Sequence, residues 1–120
     1  MMPFHGHDHH MRDRILADLS DLNGVQWVAL IGPEALPISI HPHSDQAENA
    51  AAMWLGLEAR AEVLLGGVPE KFTLRSDSAI MLSHRVDLGH IILMRADVGT
   101  NLGGLRNSIN DAAELIGTFL

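Results

Sequence analysis

Residues 46–66, QAENAAAMWLGLEARAEVLLG, carry two apolar faces on one helix. At about 100° per residue, Ala50, Trp54, Leu57, Ala61 and Leu64 line a broad face. Ala52, Gly56, Ala59 and Val63 line a second, nearly opposite and built only of small or compact side chains. Glu58 and Glu62 run down one boundary and Arg60 stands on the other. A helix apolar on two sides needs two partners. The face with the large residues suits a sheet, whereas small residues spaced by four and three let another helix backbone come close. A chain of 120 residues has few helices to spare, so the second partner is expected from another copy of the chain, as a homodimer. The plainer reading, alanine filling exposed positions because it favours helix, stands beside it.

The rest of the chain supplies the sheet and its covering helices. Residues 1–11 are polar and histidine-rich and read as a disordered leader; residues 12–120 read as one domain. Ile15, Leu16, Leu19 and Leu22 place a short amphipathic helix over residues 12–22, stopped at Asn23-Gly24. VQWVALI (25–31) suits a well-buried strand. A turn over 32–36 returns the chain as a second strand, 37–40, to form a hairpin. Ser44 or Asp45 is placed to cap the long helix. PEKFTLR (69–75) alternates around Phe72 and Leu74, and its charges and leading proline suit a sheet edge or a subunit boundary. Residues 79–86 and 91–96 form a second hairpin around Gly89. Leu102, Leu105, Ile109, Ala112, Ala113 and Ile116 then keep a helical rhythm over 102–120. The order α-β-β-α-β-β-β-α implies an α+β fold, an antiparallel sheet with helices packed on it.

Composition removes several functions. There is no cysteine, and hence no disulfide, thiolate nucleophile or cysteine zinc site. The formal net charge is -7, and the scattered basic residues form no stripe to displace counterions from nucleic acid or to hold an anionic membrane surface. No apolar run approaches the ~18 residues of a membrane span, and the N-terminus lacks the order of a secretory signal. A cytoplasmic location is expected.

Chemistry is sparse. GTNLGGLR (99–106) has glycines at the spacing of a phosphate-binding loop, but Leu105 and Arg106 stand where lysine and serine or threonine are needed. With Thr100 and Asn101 as capping residues, the stretch reads as a helix start. His5, His7, His9 and His10, with Asp8, are the weak candidates for a metal, on the spacing of a flexible tract. His41 and His43 flank Pro42 in a loop, and His84 and His90 flank the second hairpin turn as possible cross-strand neighbours; no close acidic partner is evident for either pair. Ser83 and His84 are adjacent on a strand and must point to opposite faces, and no serine stands in a nucleophile elbow. No active site, cofactor site or metal site is expected.

Three stretches together resemble the roadblock/dynein light chain family: LNGVQWVALIGPEALPI at its opening, AAMWLGLEARAE in its central helix, and DVGTNLGGLRNSINDAAELI at its last strand-to-helix passage. The likeness covers about residues 12–120. It implies a profilin-like sandwich, a five-stranded antiparallel sheet with helices on both faces. It also implies a homodimer in which the central helices pack together and the third strands join two sheets. On this chain that interface falls on Ala52, Gly56, Ala59 and Val63 of the helix and Phe72 and Leu74 of the strand. Members of the family are not enzymes; bacterial ones that govern gliding motility bind Ras-like small GTPases and can stimulate their GTP hydrolysis. The resemblance thus implies a non-catalytic regulator or scaffold for such a GTPase. A structural adaptor indifferent to nucleotide state, or a small-molecule sensor, is the alternative. The histidine tract has no counterpart in this resemblance.

Overall fold

The computed structural model describes residues 3–120, with side chains from His10 onward. Its elements are α1 (Pro3–Ser20), β1 (Val25–Ile31), β2 (Pro37–His41), α2 (Asp45–Leu65), β3 (Lys71–Arg75), β4 (Ile80–Arg85), β5 (Ile91–Ala96) and α3 (Leu102–Gly117). The order is the one read from the sequence. α1 begins at Pro3, so the division expected at residue 11 falls inside that helix.

The strands form one antiparallel sheet in the order β2-β1-β5-β4-β3. The central pair, β1 and β5, is covered on both sides, which is why both read as near-continuous apolar runs rather than alternating ones. On one side Val28, Leu30, Ile92 and Met94 meet Leu16 and Leu19 of α1 and Leu105, Ile109 and Ile116 of α3. On the other, Trp27, Ala29, Ile31, Ile91 and Leu93 meet Ala47, Ala51 and Trp54 of α2. Helices therefore lie on both faces, two on one and α2 alone on the other. β2 and β3 are the edges.

The near-phosphate loop resolves into a turn and a helix cap. Asn101 is the N-cap of α3, its side-chain oxygen accepting the Gly104 amide at 3.1 Å, and Leu105 is buried in the core. Thr100 packs against Gly24, whose φ of 85° and close approach leave no room for a side chain. Of the two spaced glycines, Gly104 lies against the capping Asn101 side chain, whereas a side chain at Gly99 would meet nothing within 4 Å.

Candidate interaction surface

α2 is set at both ends by local rules. The Ser44 hydroxyl accepts the Ala47 amide at 3.3 Å, and Gly66, at φ 75°, closes the helix with its amide on Glu62 O, the left-handed cap that glycine permits without strain. Between them the inward line runs through Ala47, Ala51, Trp54 and Glu58. Alanines bring the N-terminal half close to the sheet. Trp54 then meets Phe72 of β3, ring centroids 4.9 Å apart and tilted by 47°.

The helical wheel places Glu58 at a boundary; it is buried instead. Its carboxylate accepts from the Arg85 guanidinium of β4 at 2.9 Å and from the Ser83 hydroxyl at 3.2 Å. These partners explain the inward turn, because a carboxylate leaves water only where charge and donors replace it. The turn also corrects the face read from large residues. Trp54 is buried and Ala50 and Ala61 are half-buried, but Leu57 and Leu64 are exposed. The helix runs on past the sheet, so even Leu65, seven residues beyond Glu58 on the inward line, is 68% exposed.

The small-residue stripe, Ala52, Gly56, Ala59 and Val63, faces outward and is exposed along its length. Met53, Leu57, Leu64 and Leu65 flank it, also exposed. A side chain at Gly56 would meet nothing within 4 Å, so packing within the chain does not require glycine there, although glycine in a helix interior costs about 1 kcal/mol relative to alanine. Phe72 is half-buried and Leu74 exposed, on the α2 side of the edge strand β3. The surface thus combines an apolar helix face and an unpaired strand edge on one side of the sheet.

The histidines fall elsewhere. His5, His7 and His9 lie outside the residues with described side chains, and His10 is exposed. His41 and His43 do have acidic partners, contrary to expectation: His41 Nε2 is 3.6 Å from Asp13 and His43 Nε2 is 3.9 Å from Glu48. The Asp13 contact comes from α1 folding over β2, a proximity no local spacing reveals. Ser39 completes that cluster, donating to Asp13 at 2.7 Å and lying 2.9 Å from the same His41 Nε2. One imidazole nitrogen serves both neighbours, so the carboxylate does not orient the ring from behind as a hydrolytic triad requires. His43, Asp45 and Glu48 hold ligand atoms within 4.8 Å of one another, all exposed; their spacing around the α2 cap is the signal for that group. His84 and His90 are not cross-strand partners, since His84 pairs with Ile92 and Lys71. As expected, Ser83 and His84 face opposite sides: Ser83 reaches Glu58, while His84 Nε2 lies 3.0 Å from Asn110 Oδ1 on α3.

A sheet in this strand order, with one long helix on one face and two on the other, is the roadblock/LC7 fold. Several solved bacterial structures share it. A Roadblock/LC7 domain from Streptomyces avermitilis superimposes with a TM-score of 0.78 at 18% identity, covering 89% of this chain and 95% of that one. MglB from Myxococcus xanthus gives 0.77 at 17%, covering 90% and 93%. The gliding protein MglB from Thermus thermophilus gives 0.82 at 13%, covering 93% and 90%. No protein-family model and no curated protein matches the chain. Among the described residues, no helix is long and apolar enough to cross a membrane.

Proposed function

We propose that the chain is a homodimeric, non-enzymatic roadblock module of the bacterial cytoplasm that regulates or scaffolds a Ras-like small GTPase. The observation that carries the self-association is the outward face of α2. Ala52, Gly56, Ala59 and Val63 are exposed beside Met53, Leu57 and Leu64, and a side chain at Gly56 would meet nothing within 4 Å among the described residues. Packing α2 against its copy buries that face, and small residues permit close backbone approach. The edge of β3, with Phe72 and Leu74, continues the same interface by extending the sheet. A twofold arrangement satisfies both contacts at once because each copy offers the same patch. One structurally similar MglB is solved in a tetrameric arrangement. The GTPase partner rests on the likeness to MglB structures and on the roadblock resemblance of the sequence. By that reading the dimer acts on the partner's switch loops without supplying nucleotide-binding residues of its own.

Two measurements test this. Sedimentation of the full chain is expected to give a dimer, and Val63→Glu or Gly56→Glu is expected to yield a folded monomer by placing an unpaired carboxylate at the helix contact. A monomeric parent chain would remove the reading. Retention of proteins from source lysate, run in parallel with a non-hydrolysable GTP analogue and with GDP, is expected to hold a small GTPase in the first case only. Partners held equally in both states, with no GTPase among them, would instead mark the chain as an adaptor.

A further inference from the structure

On the side of the sheet away from α2, beneath the first half of α3, lies a cavity of about 200 Å³. Its polar wall is Lys71 and Thr73 from β3, Arg106, Asn107 and Asn110 from α3, and His84 from β4. In a chain with fifteen acidic and eight basic residues, two cations and, among the described residues, no carboxylate line this cavity. Among the described residues neither cation is in an ion pair. The Arg106 guanidinium makes one long hydrogen bond, 3.4 Å to the Thr73 hydroxyl. His84 fixes the inner wall: its Nδ1 lies 2.8 Å from the Arg85 carbonyl and its Nε2 3.0 Å from the Asn110 side-chain amide. Beyond His84 a second cavity is lined by three carboxylates, Glu70, Asp87 and Glu114, against one cation, Arg85, so the balance of charge reverses across the imidazole.

We infer that the Lys71–Arg106 cavity binds a small molecule through a phosphate or carboxylate group. Arg106 and Lys71 supply the charge, and Thr73, Asn107 and Asn110 supply hydrogen bonds. Each of these groups can donate, which matches an oxyanion with several acceptor oxygens. Whole drug-sized ligands occupy about 300–1,000 Å³, so this cavity holds the anionic end and leaves the remainder outside. The acidic neighbour repels the same group and confines it to the basic side. The cavity opens on the face of the sheet away from α2, although its Lys71 and Thr73 stand on β3, the strand whose edge the proposed dimer uses.

The test is a titration of the full ¹⁵N-labelled chain with inorganic phosphate and, separately, with succinate, ionic strength being held constant with sodium chloride. Saturable amide shifts confined to residues 71–73, 84 and 106–110 are expected, and the anion that produces them identifies the group recognised. Arg106→Gln is expected to weaken the apparent Kd by about tenfold or more, the loss of one charge-assisted hydrogen bond. Lys71→Gln, at an exposed side chain with no ion-pair partner among the described residues, should weaken it in the same direction without affecting folding. Shifts that grow linearly with concentration, or that spread equally to Arg14 and Arg60, would be general screening and would overturn the inference. An affinity unchanged in both variants would overturn it too.

Discussion

Glu58 holds α2 to the sheet through the only buried carboxylate among the described residues. Replacing it with alanine strands the Ser83 hydroxyl, which is buried, and the Arg85 guanidinium, whose side chain is 30% exposed. Removing one partner of a fully buried pair costs about 3–5 kcal/mol; the partial solvation of Arg85 lowers the expectation to about 2 kcal/mol. Urea unfolding at fixed chain concentration should show the midpoint falling with the slope unchanged. A loss under about 0.5 kcal/mol, the range of ordinary surface substitutions, would mean the helix is held by its apolar contacts alone. Trp54 offers a contrast. Its indole N–H, like that of Trp27, is buried with no hydrogen-bond partner among the described residues. Trp54→Ala should cost about 3–5 kcal/mol through the cavity it leaves. Trp54→Phe should cost far less, because an orphaned donor is removed with the lost carbons. Thermal melts of the two variants side by side separate volume from polarity at this position.

At the scale of elements, α3 and β5 are the most legible parts of the chain. β5 occupies the expected residues 91–96, and α3 starts at the expected Leu102 and buries Leu105, Ile109, Ala112, Ala113 and Ile116. Both succeed because one environment governs the whole element. A helix lying on a sheet shows a single period, and a central strand shows an unbroken apolar run. The cap follows from the same locality, and Asn101→Ala should destabilise α3 by about 1 kcal/mol, read as a lower melting temperature with retained helical content. α2 is legible as a helix with two faces, but its inward line is not. Leu57 and Leu64 look like core to any rule that ranks side chains by hydrophobicity, and Glu58 looks like solvent. What turns the helix is Arg85, distant in sequence and supplied by β4. The cluster of Asp13, Ser39 and His41, and the pairing of His84 with Asn110, escape for the same reason. Side chains from separate elements meet only once the sheet order is known, and short-range spacing carries no record of it.

For the whole molecule, the distribution of apolar surface predicts that stability depends on concentration. If α2 and β3 are covered by a second copy, dilution should lower the melting temperature, since association draws on the folded form alone. Val63→Glu should abolish that dependence while leaving the dilute-limit melting temperature close to the parent's. A parent chain whose melting point is flat across a hundredfold dilution would contradict coverage by its own copy. The two ends of the sheet also differ in a way that bears on growth. β2 is a five-residue strand that opens with Pro37 and is followed at once by Pro42, so it offers few amide hydrogens to a newcomer. β3 is preceded by Pro69, but it has no proline within residues 71–75. A sheet extensible from one margin and blunted at the other would act as a chain terminator: if two copies join through β3, both outer margins are β2, and growth is expected to stop at a pair.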